Sequence, residues 1–216
     1  VTQLETFPAL EALPFLRSAF LGRDESVDVV TDRETALDRL ARSHREARER
    51  AGFGGYRLAS VEQIHGNNVA VVSDETTTPV FGCDGLITRA KALTLSIAVA
   101  DCAAVFLTDC KGRGIGLVHS GSKGTQLGIV PVAVERFCEV TGARASEVIL
   151  QISPCIRPPN YETDFASEIA DQAKRLGVGQ IFDCGICTAS HPSRYYSYRR
   201  ERGQTGRMLA LLALVP

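Results

Sequence analysis

The chain has no tryptophan, a single methionine and only four histidines in 216 residues. The shortage of histidine matters most. Any metal centre must draw on His44, His65, His119 and His191, which excludes large imidazole-rich clusters. An excess of charge of either sign is also absent. Twenty-four Lys and Arg stand against 25 Asp and Glu, a formal net charge of −1. The signs are interspersed, so no overall field draws the chain to nucleic acid or to an anionic membrane surface. Long apolar runs are missing too: the longest, Ala92 to Leu107, is interrupted by Asp101 and falls short of the roughly 20 residues a bilayer span needs. The first residues lack the basic stretch and apolar run of a secretory leader. The seven cysteines, odd in number and unevenly spaced, do not form the framework of a small secreted domain. A cytoplasmic protein with reduced thiols is expected.

With 44% hydrophobic and 23% charged residues, the chain fits one globular domain over residues 1–216. Glu34 to Arg50 carries apolar residues at helical spacing beneath a strongly charged face and predicts a surface helix, with His44 solvated. Gly52, Gly54 and Gly55 end it. Short strands are predicted at Tyr56 to Val61 and Val69 to Val72, with His65 at the turn between them. Gly85 to Thr88, Leu93 to Val99, Ala104 to Thr108 and Gly114 to Val118 read as buried strands. A helix is predicted from Gly128 to Thr141, stopped by Gly142, followed by a strand at Val148 to Ile152, a helix at Phe165 to Leu176 and a strand at Val178 to Phe182. The apolar stretch Gly206 to Leu214 reads as a final helix. Strands and helices interleave without a strict repeat, which predicts an α+β fold of mixed β-sheets with flanking helices.

Three segments place a metal ligand where a strand gives way to a loop: Gln63-Ile64-His65-Gly66, Ala100-Asp101-Cys102 and Val118-His119-Ser120-Gly121. Two imidazoles and one thiolate suit Zn²⁺ with a fourth position open to water, the usual catalytic arrangement, in which the water's pKa falls to about 7. Spacing alone favours satisfied core side chains over a metal site for residues so far apart. Asp84 and Asp101 flank these loops, either as carboxylates that orient a ligand imidazole or as turn and cap residues. Lys123, with Gly121 and Gly124 before a predicted helix, offers a phosphate site. Arg199 and Arg200, behind Tyr195, Tyr196 and Tyr198, can stack on a base, bind phosphate or simply pack. Cys184-Gly185-Ile186-Cys187 is a C-x-x-C, read as unpaired thiols because no second pair lies at zinc-finger spacing. His191, before Pro192, reads as an incidental surface residue.

In order along the chain, Gln63-Ile64-His65-Gly66-Asn67-Asn68-Val69, Cys83-Asp84-Gly85-Leu86-Ile87-Thr88, Val99-Ala100-Asp101-Cys102 and Val118-His119-Ser120-Gly121-Ser122-Lys123-Gly124 resemble the motifs of the laccase-domain family. The family was once described as multicopper polyphenol oxidases and is associated with zinc-dependent purine nucleoside processing. The likeness continues through Ile152-Ser153-Pro154-Cys155-Ile156, Tyr161-Glu162, Cys187-Thr188 and Tyr196-Ser197-Tyr198-Arg199-Arg200 to Thr205-Gly206-Arg207. It therefore covers about Tyr56 to the C-terminus. The resemblance implies a layered architecture like that of cysteine hydrolases, with His65, Cys102 and His119 as metal ligands. It further implies phosphorolysis of purine nucleosides, with adenosine deamination and methylthioadenosine cleavage as companion activities, and a nucleoside and phosphate as the small-molecule partners. Within it the candidate catalytic residues are Cys102, His119, Asp84 and Asp101, and those for substrate contact are Gln63, Lys123 and Arg199.

Three departures from the family pattern bear on substrate preference. Phe20-Leu21-Gly22-Arg23-Asp24-Glu25 stands where a Ser-Thr-Arg and double-Gly segment is usual. Ser122 and Lys123 replace a Trp-Arg pair, so an aromatic wall is gone and a planar guanidinium becomes a point charge. Ala103-Ala104 follows Cys102 where a Pro is common. Competing readings are a hydrolase using Cys102 as nucleophile and His119 as base, acting on an amide such as that of a cell-wall precursor, and a non-catalytic nucleoside-binding protein. A multicopper oxidase is disfavoured, because four imidazoles cannot fill its clusters. A single two-His, one-Cys copper site remains formally allowed.

Overall fold

A computed structural model describes residues 2–216. Along the chain the elements run β1 (Leu4–Glu5), α1 (Pro8–Glu11), β2 (Leu16–Leu21), α2 (Arg33–Arg50), β3 (Arg57–Ser60), β4 (Val69–Val71), β5 (Gly85–Thr88), β6 (Leu93–Val99) and β7 (Ala103–Asp109). They continue through β8 (Ile115–Ser120), α3 (Ser122–Gln126), α4 (Ile129–Thr141), β9 (Val148–Ile152), α5 (Phe165–Arg175), β10 (Gln180–Asp183) and β11 (Met208–Leu214). One mixed sheet has the order β1-β2-β11-β6-β3 and a second the order β10-β9-β7-β8-β5-β4.

The sheets pack face to face. Alternate residues of each strand point to opposite faces, and in the first sheet Phe20, Ala210, Leu212, Leu95 and Ile97 point inward to meet Ala104, Phe106, Leu117 and Leu86 of the second in the main core. The outer face of the second sheet, with Val105, Leu107, Val118 and Leu150, is covered by Ile129, Val130, Ala133 and Phe137 of α4 and Ile169 of α5. The outer face of the first sheet, with Ala19, Leu21, Leu211 and Ala213, packs against Ala47 of α2 and Phe53. Four layers result, α2, sheet, sheet and α4 with α5, so the fold is α+β with mixed sheets as the pattern predicted. Among the described residues no helix is long and apolar enough to cross a membrane.

Two expectations change. Met208–Leu214 is a strand rather than a helix, hydrogen-bonded antiparallel to both β2 and β6. A short segment apolar at every position fits a strand buried on both faces as well as it fits a buried helix, and periodicity cannot separate the two. His44 is buried rather than solvated, 8% exposed, because it lies on the inner side of α2, where its Nε2 meets the Arg207 carbonyl oxygen at 3.1 Å.

Candidate metal centre and pocket

The three proposed ligands come from two loops and the end of a strand, all at one end of the sheets. Cys102 lies in the tight β6–β7 connection, entered through Asp101 at φ 79. His119 is the penultimate residue of β8, paired with Ala104 of the neighbouring β7. His65 sits in the loop between β3 and β4 with φ 60, two residues after Gln63 at φ 66. Left-handed backbone at non-glycine residues is uncommon, and three of the five such residues described in the chain fall in these loops. Such strain persists only where surrounding contacts hold it.

Those contacts are visible. Asp84, fully buried, accepts N–H bonds from Ile64 at 3.2 Å, His65 at 2.8 Å and Gly66 at 2.7 Å. The same carboxylate accepts from Nδ1 of His119 at 2.8 Å. One side chain thus fixes the His65 loop and the His119 ring together. Burial alone would raise its pKa, but the His119 imidazole and the loop N–H groups outweigh this and hold it below the usual carboxylate range. Gln63 ties the loop to β6, its amide donating to the Ala98 carbonyl at 2.6 Å and accepting from the Ala98 N–H at 3.0 Å.

With these constraints the donor atoms of His65, Cys102 and His119 lie within 4.8 Å of one another, and Cys102 Sγ is 4.0 Å from His65 Nε2. Among the described residues no other group of three such side chains is gathered this way. Because Nδ1 of His119 is held by Asp84, its Nε2 is the nitrogen that faces the centre, and it can ligate a metal once it gives up its proton. Burial alone would push the Cys102 thiol up, yet hydrogen bonds to His119 and His65 prevail and bring it down to about 6. Burial likewise opposes a charged His119, but Asp84 and Cys102 raise it to about 9. At neutral pH the chain therefore carries a thiolate here. Gly121 makes room for it: a Cβ at that position would stand 2.5 Å from Cys102 Sγ.

The triad opens into a cavity of about 430 Å³ lined also by Arg33, Gln63, Ala98, Ala100, Tyr198 and Arg207. Arg207 is 8% exposed and is pushed down from its ordinary pKa by burial and by the neighbouring cation of Arg33. Two guanidiniums thus face one cavity. Composition and motif reading singled out neither for a role. Arg207 stood within the Thr205-Gly206-Arg207 motif, whereas Arg33, at the first turn of α2, carried no local signal.

The other candidates lie elsewhere. Asp101 touches neither imidazole. Its carboxylate accepts from the Thr188 hydroxyl at 2.6 Å, the Ser197 hydroxyl at 3.0 Å and the Arg199 N–H at 2.7 Å, so it binds two stretches of the β10–β11 connection to the β6–β7 turn. Lys123 is exposed on the five-residue α3 and does not line the cavity. The Arg199 guanidinium pairs with Glu162 at 2.6 and 3.0 Å and lies 4.7 Å over the Tyr161 ring. Arg23 pairs with Glu201 at 2.6 Å. All seven cysteines are free, and burial pushes Cys184 of the C-x-x-C up to about 11.

The chain belongs to the family described as multi-copper polyphenol oxidoreductase laccase, whose model matches residues 24–173 and 163–215. Its relatives include a protein of Deinococcus radiodurans named purine nucleoside phosphorylase, 31% identical over 189 residues, covering 76% of this chain and 72% of that protein. Purine nucleoside phosphorylase YlmD of Bacillus subtilis is 27% identical over 194 residues, with 71% and 69% covered. Among solved structures, YlmD from Geobacillus stearothermophilus superposes with a TM-score of 0.82 at 22% identity, covering 94% of this chain and 93% of the other. YfiH from Bacillus licheniformis gives 0.79 at 21%, with 92% of each covered. The fold is the one these structures share.

Proposed function

We propose that the chain is a zinc-dependent purine nucleoside phosphorylase, with adenosine deamination and methylthioadenosine phosphorolysis as side activities. One observation carries the reading: an imidazole, thiolate, imidazole triad and two guanidiniums without carboxylate partners face the same cavity. The names of the relatives support it. The donor set fits zinc. Two imidazole nitrogens and a thiolate within 4.8 Å of one another would hold such an ion and leave a position open to water. When bound, the ion supplies a Lewis acid at the floor of the pocket.

The chain's own groups do the positioning. Arg33 and Arg207 hold phosphate, a task for which planar guanidiniums are suited, and this moves the phosphate site away from Lys123. Tyr198, 56% exposed at the rim, offers a ring face to the purine. Asp84 keeps the His119 tautomer fixed and its Nε2 directed at the centre. Bringing phosphate and the anomeric carbon together in one cavity is where rate is gained, since a bimolecular step becomes effectively unimolecular.

The test is phosphate-dependent release of base from inosine and adenosine by the zinc-loaded protein. Arg207→Gln should raise the KM for phosphate at least tenfold, and Cys102→Ala should lose zinc and activity together. Turnover that needs no phosphate and ignores Arg207 would overturn the reading. A second reading, Cys102 as nucleophile of a hydrolase, is favoured by the thiol lying near 6 beside His119. Metal content separates the two, because a ligated thiolate is not free to attack.

A further inference from the structure

The outer face of the first sheet is only half covered. α2 covers β2 and most of β11 through Ala47, but leaves β6, β3 and the Leu209 end of β11 open. Between the helix and those strands runs a groove of about 380 Å³, with Leu58, Ala98 and Leu209 as floor and Leu37 on the helix side. It adjoins the catalytic cavity and shares Arg33, Gln63 and Ala98 with it. Arg33, Arg45 and Arg48 also line it. They sit at i, i+12 and i+15 on α2, within an arc of about 120° on one side of the helix and extending about 22 Å at 1.5 Å per residue.

Most polar groups of the floor are already used. Ser96 donates to the Ala59 carbonyl at 3.1 Å, and both amide atoms of Gln63 are bonded to Ala98. His44 is engaged by the Arg207 carbonyl. Of the three arginines only Arg33 has such a bond, a long one of 3.4 Å to the Glu62 carbonyl. The ion pairs of α2 use Arg39 and Arg42, bound to Asp28 and Glu46. Among the described residues Arg33, Arg45 and Arg48 have no carboxylate partner, and the buried Nε of Arg48 has no hydrogen bond at all. A ligand here is recognised by apolar contact and by negative charge, and by little else.

We propose that this groove binds an amphipathic anion, a compact apolar body of about ten to fifteen heavy atoms, a size such grooves accept, with a carboxylate or phosphate head. The head meets Arg45 and Arg48 while the body lies on Leu58 and Leu209. Because Arg33 belongs to both cavities, the ligand and phosphate compete for its charge, so each weakens the other by the same factor. This coupling rests on the phosphate role given to Arg33 above; the groove itself does not.

Calorimetric titration of the full chain with 2-naphthoate, 2-naphthyl phosphate and the neutral 2-naphthalenemethanol tests it. One-to-one binding of either anion, at least tenfold tighter than the neutral compound, is expected, and the tighter anion identifies the head group. Arg45→Gln with Arg48→Gln should abolish the preference for anions. Leu58→Asp, at a position 40% exposed and so tolerant of change, should abolish anion binding with the native circular dichroism retained. Equal affinity for the neutral compound, or anion binding indifferent to these variants, would overturn the proposal. Inorganic phosphate should weaken naphthoate binding in the wild type and not in Arg33→Gln. Failure of that arm alone removes the coupling, whereas absence of phosphorolysis with intact naphthoate binding refutes the enzyme reading and leaves the groove.

Discussion

Asp84 and Gly121 show how single residues decide this site. Asp84 carries four hydrogen bonds, three to the His65 loop and one to His119. Asp84→Asn keeps the shape but replaces an acceptor with a donor that faces N–H groups. Metal affinity should fall 10- to 100-fold, measured by competition with a chromophoric chelator, and unchanged affinity would remove Asp84 from its orienting role. Gly121 acts by absence. In Gly121→Ala the new methyl, 2.5 Å from Cys102 Sγ, must displace the thiol, so zinc stoichiometry should drop towards zero while circular dichroism stays native. Both residues stand inside recognisable motifs, and Asp84 was legible as a candidate from its position beside the ligand loops. Asp101 looked equivalent in the sequence. The difference arises because the Asp84 carboxylate turns towards β8, while that of Asp101 turns towards residues 188–199, a choice made by loop packing and invisible in local spacing.

At the scale of elements, the docking of α2 on the end of β11 carries a pH signature. His44 is buried against the Arg207 carbonyl, and burial lowers its pKa from 6.5 to about 4. The unfolded chain therefore binds the proton more readily than the folded one. The stability from keeping His44 neutral is complete above about pH 6.5 and is lost as pH falls towards 4, a difference of roughly 3 kcal/mol. Urea midpoints at about pH 7 and pH 4.5 should differ more in the wild type than in His44→Gln, and identical slopes would show that His44 does not titrate between the two states. The same pair of elements marks where sequence reading ran out. The α2 boundaries were legible from charge and period. β11 was not, because Met208–Leu214 is apolar on both faces and its identity as a strand depends on β2 and β6 lying ready to receive its backbone N–H and C=O groups.

For the whole molecule, a metal held as proposed by His65, Cys102 and His119 should link folding to metal concentration. Free zinc at 100 times its dissociation constant stabilises the folded state by about 2.7 kcal/mol, which in a domain of this size corresponds to roughly 5 to 10 °C in Tm. Chelation should lower Tm by that amount in the wild type and leave His65→Ala unmoved, as read by differential scanning calorimetry. A chelator effect of equal size in the variant would place the metal elsewhere. Taken alone, the sequence determined the class of fold, most strands and helices, and the three segments that carry His65, Cys102 and His119, because periodicity, glycine and short polar turns act over neighbouring residues. Only the tertiary structure decided that these segments converge, that Arg33 and Arg207 rather than Lys123 and Arg199 face the cavity, and that β11 is a central strand. Proximity between residues 37 or 174 positions apart is set by which strands pair in which order, and that order is the outcome of burying two sheets against each other rather than of any local pattern.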